Sequence, residues 1–394
     1  MRAALIAGVV CLAAGVAAGV PLRAQDPAPE VRPGFTEWLN GVRSEALARG
    51  IREEIVAQAL DGLAEPMPVV LERDRSQAEI VLPLETYVNR RLTRRMIASG
   101  RSVYQRHRDL LERIGAQYGV SPRIIVAIWG IESNYGRFSG VRPTVAALAT
   151  LAYDPRRARF FRGELFNALE ILNRGDIEFA RMKGSWAGAM GQPQFMPSSY
   201  LKYAEDFDGD GRRDIWDSPA DIFASVANYL KGNGWSPDAR WGREVRLSPE
   251  AARAVAAEVG RREGTCQATR DMSAALPLAE WTRLGVRNAS GGPLPKADVT
   301  ASLVSGSRKH YLVYGNYDAL LAYNCAHAYA ISVSLLSDRI GGVAPAPAAR
   351  PAAGTGRQAP RRAKAARRRT SRPRSVRGVR AATTRGRVAS GSTR

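Results

Sequence analysis

The 394-residue sequence predicts a mainly helical α+β protein, and three observations carry that reading. Apolar residues recur at helical spacing through most of the chain, as with Trp38, Leu39 and Val42, or Ile55, Val56 and Leu60. One stretch, VSPRIIVAIWGIESNYG at 120–136, is unbroken by charge from Ile124 to Ile131, which predicts a buried helix rather than a surface one. Between 241 and 307 the text changes to Pro, Gly and short Val/Leu runs, which predicts a smaller mixed segment.

Taken in order, residues 35–111 read as a helical domain punctuated by Pro66, Pro68 and Pro83. Ser121 and Pro122 suit the N-cap and first position of the buried helix. The stretch FFRGELFNALEILNRGDI at 160–177 predicts a helix with a C-cap signal at Gly175. DIFASVANYLK at 221–231 predicts another, ended by Gly232 and Gly234, and the last strong helix runs over 317–340. Residues 112–240 and 308–342 are thus expected to form the main core, with 241–307 as a small mixed subdomain.

The ends differ from this body. Met1 and Arg2, an apolar run over 3–20 and the small-residue exit at Ala24 read as a signal peptide over 1–24, followed by a linker over 25–34. Cys11 lies inside the apolar run behind Val10, which does not suit lipid attachment, so a soluble exported protein is expected. Export leaves Cys266 and Cys325, an even pair in an oxidising compartment that is expected to form one disulfide. His107, His310 and His327 are scattered and read as structural. Residues 343–394 hold 15 Lys and Arg and no Asp or Glu, so they supply 15 of the chain's +21 charges. A segment so basic and so poor in large apolar residues is expected to stay disordered, with the wall or anionic lipid as electrostatic partner. No nucleic-acid-binding fold accompanies the basic segment, so nucleic acid is the weakest partner.

Three stretches carry chemistry. Glu132 closes the buried helix on the face of Ile124 and Ile128, where lost hydration would raise a carboxyl pKa and suit it to proton donation. GSWAGAMGQPQFMPSSY at 184–200 joins glycines, which let backbone approach a ligand, to the flat faces of Trp186 and Tyr200 and the amide of Gln194. That mixture suits a sugar. DFDGDGRRDIWD at 206–217 sets Asp206, Asp208 and Asp210 at positions 1, 3 and 5 of a calcium loop, with Gly211 at 6, the Arg212 carbonyl at 7 and Asp214 at 9. Asp217 stands at position 12, where a longer Glu is usual, and Asp221 can serve instead if the loop is longer.

With WGIESNYG, GSWAGAMGQPQFMPSSY, the acidic loop, SVANYLKGNGW and YGNYDALLAYNCAHAY in this order, the chain resembles the membrane-bound lytic murein transglycosylase B family over 35–342. The resemblance implies a lysozyme-like core, an EF-hand-like loop with a structural Ca2+, no organic cofactor, and a monomer in the periplasm acting on peptidoglycan glycan strands. It implies that Glu132 is the sole catalytic acid/base and that Ser185 and Asn324 contact the muramoyl N-acetyl group. Gln194, Tyr229, Tyr323 and Tyr329 fall on its other cleft positions. Asp206, Asp208, Asp210 and the Arg212 carbonyl fall on its calcium ligands, with Asp217 or Asp221 to complete them. Trp186 stands where a Tyr is frequent, and the lipid-acceptor cysteine is missing. The implied reaction cleaves the β-1,4 bond between N-acetylmuramic acid and N-acetylglucosamine without water and leaves a 1,6-anhydro end. Two alternatives stay open at this point. One is a hydrolytic muramidase on the same fold, with Asp154 or Asp176 as second carboxylate. The other is a non-catalytic wall-binding protein.

Overall fold

The computed structural model describes residues 33–75 and 82–342. The signal segment at 1–24, nearly all of the linker and the basic tail at 343–394 lie outside the described residues. The described chain opens with α1 (Phe35–Ala48), α2 (Glu53–Leu60) and α3 (Pro68–Arg75), continues through α4 (Leu84–Arg91), α5 (Arg94–Arg106) and α6 (Arg108–Tyr118), and reaches α7 (Pro122–Ser133). A short strand β1 (Arg142–Pro143) leads into α8 (Thr144–Tyr153) and α9 (Ala158–Arg174) and pairs with β2 (Lys183–Gly184). Then come α10 (Pro197–Tyr203) and α11 (Pro219–Gly232).

A small antiparallel sheet follows. It is built from β3 (Gly242–Arg246), β4 (Leu276–Pro277), β5 (Arg287–Asn288), β6 (Thr300–Ser305) and β7 (His310–Val313), in the order β4-β6-β7-β3-β5. The helices α12 (Pro249–Glu258), α13 (Gln267–Asp271) and α14 (Leu278–Arg283) lie between its strands in sequence. The chain returns to the helical body with α15 (Asn316–Tyr323) and α16 (His327–Ile340). No helix among the described residues is long and apolar enough to cross a membrane.

Two helical cores carry the molecule. In the first, α7 packs against α5, α6, α11 and α16. Its residues from Ile124 to Ile131 are all buried, so the charge-free run is explained by neighbours on every side. Each buried Ile there contributes about 1.5–3 kcal/mol relative to exposure. Pro122 takes the first helical position as expected, while Ser121 sits at the N-cap without a side-chain capping bond. The second core joins α8 and α9, which pack tightly on each other, to α1, α2, α3 and α10.

Three expectations about boundaries need correction. Residues 35–111 do not form a domain of their own. The apolar faces of α1–α3 are buried in the second core, while Val88, Val103, Leu111 and Ile114 of α4–α6 are buried in the first. The small sheet does not end at 307, because β7 is its middle strand, pairing with both β6 and β3. The single helix expected over 317–340 is two, broken where Asn324 and Ala326 are extended at φ −148° and −146°.

Candidate active site

Glu132 is the eleventh residue of the twelve-residue α7 and is half-buried, less enclosed than the apolar run before it. The chain turns sharply just after it. Asn134, Tyr135 and Gly136 all adopt left-handed backbone, at φ 51°, 61° and 77°. For the two non-glycine residues this conformation is costly and persists only where the surroundings enforce it. The surroundings here are specific. Tyr135 Oη donates to the Met96 carbonyl at 2.8 Å, and its ring lies so close to the backbone of α7 that a Cβ on Gly130 would come within 2.6 Å of it. Ser133 Oγ donates to the Trp129 carbonyl at 2.9 Å and accepts from Gly136 N at 3.1 Å.

Gln192 links this turn to the glycine-rich loop. Its Oε1 accepts from Trp129 Nε1 at 2.7 Å and its Nε2 donates to the Trp216 carbonyl at 2.6 Å. A Cβ on Gly136 would meet Gln192 Oε1 at 2.5 Å, so the left-handed position also has no room for a side chain. Gln194, likewise left-handed at φ 53°, donates through Nε2 to the carbonyls of Gly191 at 2.8 Å and Ser139 at 3.1 Å. Ser185 Oγ accepts from the backbone N–H of Ala187 and of Ala189, both at 3.2 Å, which leaves its own proton for donation. The Gln194 N–H groups and the Ser185 acceptor positions thus hold the loop in shape.

Opposite stands an aromatic wall. The rings of Tyr203, Tyr229, Tyr323 and Tyr329 follow one another at centroid distances of 4.7, 4.7 and 6.2 Å, with Phe195 against Tyr229 and Tyr323. Tyr229 Oη donates to the Ala322 carbonyl and Tyr323 Oη to the Pro193 carbonyl, both at 2.7 Å. Their hydroxyls therefore build the wall, and the ring surfaces are what they can offer a ligand. Burial pushes the Tyr229 hydroxyl up to about 12. Burial also carries Tyr323 and Tyr329 well above the ordinary phenol range, and in both the negative charge of Glu132 adds to the shift. Glu132 thus acts electrostatically on this wall. Tyr329 Oη is buried without a hydrogen bond of ordinary geometry, although Glu132 is its polar neighbour. Tyr87, buried on α4, adds to the same shift. Asn324 is half-buried at the break between α15 and α16, beside the Cys266–Cys325 disulfide, whose Cα atoms are 5.9 Å apart.

The acidic loop lies beyond Gln192. Ligand oxygens of Asp206, Asp208 and Asp210 come within 4.8 Å of one another. Asp206 is held by the N–H groups of Gly209, Asp210 and Gly211, at 2.8, 3.1 and 2.9 Å. Asp221 is fully buried at the start of α11 and accepts from Phe207 N and Asp214 N, both at 2.8 Å. Burial raises its pKa, and the charge of Asp208 raises it further. Asp217, by contrast, is exposed and paired with Arg181. Of the two candidates for the last carboxylate, Asp221 is buried and interacts with Asp208, whereas Asp217 faces Arg181. Three clustered carboxylates and a buried fourth coupled to them fit a hard cation with oxygen ligands.

The sequence reading placed Gln192 in the sugar-suited loop without giving it a role of its own, and missed Tyr87. Gln192 stands two residues from Gln194 in the glycine-rich loop, which was the signal at hand. Tyr87 has no local motif, and its place follows from the packing of α4 on α16.

Comparison with known proteins fits this geometry. Over 140 residues the chain is 46% identical to the membrane-bound lytic murein transglycosylase B of Escherichia coli, a match spanning 35% of this chain and 38% of that protein. The structure of SltB3 from Pseudomonas aeruginosa in complex with NAG-anhNAM-pentapeptide is 41% identical, with a TM-score of 0.69 over 78% of this chain and 80% of that one. The structure of the Escherichia coli lytic transglycosylase Slt35 in complex with calcium is 28% identical, with a TM-score of 0.63 over 79% and 93%. The family model described as the transglycosylase SLT domain matches residues 34–338, nearly all that the structure describes, and the chain belongs to that family.

Proposed function

We propose that the protein is a peptidoglycan lytic transglycosylase that cleaves the β-1,4 MurNAc–GlcNAc bond of glycan strands and leaves 1,6-anhydro-N-acetylmuramic acid ends. The observation that carries this is a single carboxylate, Glu132, at the end of a buried helix and electrostatically coupled to Tyr323 and Tyr329, in a chain of this family. Protonated Glu132 donates to the leaving glycosidic oxygen while the acetamide oxygen of the muramoyl sugar attacks C1. Glu132, now ionised, removes the C6 hydroxyl proton, and the C6 oxygen displaces the acetamide to close the anhydro ring. No water enters, so one carboxylate serves as acid and then as base. The Ser185 hydroxyl and the Asn324 amide orient the acetamide. Tyr229, Tyr323 and Tyr329 offer ring faces, and Gln194 shapes the loop beneath the sugar.

The hydrolytic alternative finds less support, because Asp154 is engaged by Arg156 through both side chain and backbone. Asp176 lies past the C-cap of α9, where burial raises its pKa against the pull of Arg213 and Arg174. Asp206, Asp208, Asp210, the Arg212 carbonyl and Asp221 would hold a calcium ion, which supplies charge neutralisation for the loop beneath Gln192. The segment at 1–24 would direct the chain to the periplasm, and the basic tail would hold it to the wall or to anionic lipid.

Mass spectrometry of muropeptides released from purified peptidoglycan tests the proposal, with Glu132→Gln alongside. The expected products are one water lighter than reducing muropeptides, and the variant loses on the order of 100-fold or more of turnover. Reducing products from the wild type would replace this reading with hydrolysis. Tight sacculus binding without release would leave only a wall-binding protein.

A further inference from the structure

The wall that carries Tyr323 and Asn324 is a break between two helices, tied to the rest of the site by Tyr323 Oη to the Pro193 carbonyl and by Tyr229 Oη to the Ala322 carbonyl, both at 2.7 Å. Across the break the backbone is joined by Asn324 N to the Leu320 carbonyl at 3.1 Å and Ala326 N to the Asn324 carbonyl at 2.7 Å. A segment of the small subdomain, at 261–272, reaches across to it. Arg262 grips Asp318 of α15 bidentately at 2.9 and 3.1 Å, the geometry in which a guanidinium fixes direction as well as charge. Four residues on, Cys266 is disulfide-bonded to Cys325, the residue after Asn324. Ala268 and Met272 are buried in the same core as Tyr317, Leu320 and Tyr329, with Cys266 and Tyr323 packed against it. Beyond the break, His327 Nδ1 lies 3.0 Å from Tyr317 Oη, and the Ala268 carbonyl and Asp271 favour its charged form against a larger opposing effect of burial. Ties from one segment therefore bracket the break on both sides. This bracing adds to the bond from Tyr323 to Pro193 of the glycine-rich loop.

We propose that the 261–272 segment is a brace for the substrate wall, and that the Cys266–Cys325 disulfide is its positioning element, holding Tyr323 and Asn324 where they meet the sugar. The inference rests on the reading of the site given above, and it deepens it. Because the brace touches neither Glu132 nor the scissile bond but sets Tyr323 and Asn324, its loss weakens substrate binding and, through the acetamide that Asn324 orients, lowers kcat/KM. Cys325 is exposed and Cys266 partly so, so a small dithiol can reach the bond. Reduction breaks the S–S bond and moves two electrons and two protons from the dithiol to the two sulfurs. This gives two cysteine thiols, and the reagent closes to its own cyclic disulfide.

The test compares oxidised wild type, wild type treated with excess dithiol, and the double variant C266S/C325S, on purified glycan strands. Muropeptide release gives kcat and KM separately, and near-ultraviolet circular dichroism follows the fold. The expected result is a kcat/KM lowered about fivefold or more in both disulfide-free forms, with KM raised and any fall in kcat tracing to the acetamide that Asn324 orients, while the near-ultraviolet spectrum is unchanged. The dithiol is expected to leave the double variant unchanged, which assigns its effect to this bond. A kcat/KM that stays within about twofold of the oxidised enzyme, even with a lowered melting temperature, would reduce the disulfide to a stabilising cross-link and overturn the proposal. Should the oxidised wild type release nothing, the lyase reading fails by itself. Co-sedimentation with the same strands then decides the brace, and equal binding by wild type and double variant overturns it.

Discussion

Gln192 shows how much one side chain can hold. Its amide accepts from Trp129 Nε1 in α7 and donates to the Trp216 carbonyl in the acidic loop, so one planar group joins the helix that carries Glu132, the glycine-rich loop and the candidate metal site. Gln192→Leu keeps the volume and removes both bonds, leaving an indole N–H and a carbonyl unpaired in a partly buried place. The expected cost is about 2–3 kcal/mol, read as a lower urea midpoint with unchanged slope. An unchanged midpoint would mean that water takes over both roles. The residue was hard to single out in the sequence because its partners are 63 and 24 positions away. The place of Glu132 at the end of a buried helix was legible because that signal is local, a carboxylate closing a charge-free run. The left-handed Asn134 and Tyr135 were not legible, since Met96 and Gly130 enforce that turn from elsewhere.

At the scale of elements, helices with strong local punctuation matched their expected places. Gly175 ends α9 in the left-handed conformation at φ 78°, while α11 starts two residues before the expected Asp221, with Ser218 as its cap ahead of Pro219. The break between α15 and α16 carries neither Gly nor Pro, so nothing local announced it. The acidic loop falls between these cases: its spacing pointed to a cation, but left Asp217 and Asp221 both open as a further ligand. Asp221 interacts with Asp208, whereas Asp217 turns to Arg181. Thermal melts with calcium and with chelator should therefore separate the two. Calcium at about 100 times its Kd is worth about 2.7 kcal/mol of stability to a folded site. Asp221→Asn should lose most of that gain, while Asp217→Asn should keep it. The reverse pattern would make Asp217 the ligand, and a wild type indifferent to chelator would remove the metal site altogether.

At the scale of the whole molecule, the cores interleave segments distant in sequence, which is why domain bounds drawn along the chain did not hold. Burial is decided by partners, and α1–α3 and α4–α6 find theirs in different cores. The small sheet is fastened to the helical body in a similarly non-local way. Glu85 of α4 accepts from Arg308 N at 2.7 Å and Lys309 N at 3.0 Å, in the turn between β6 and β7. Burial alone would raise its pKa, but the backbone N–H groups of Arg308, Lys309 and Ser307 outweigh it and hold the carboxyl at about 2, against an ordinary value of 4.5. A depressed folded-state pKa stabilises the fold fully above the unfolded value and is lost as pH falls through the folded one. The ionised clasp should thus be intact above about pH 4.5 and gone near pH 2. Glu85→Gln keeps the shape and removes the charge. The wild type should exceed it by about 2 kcal/mol in urea unfolding at pH 7, and the gap should narrow steadily from pH 4.5 downward. A gap of equal size at pH 7 and pH 3 would mean that the carboxylate's charge has no part in fastening the sheet to the helices.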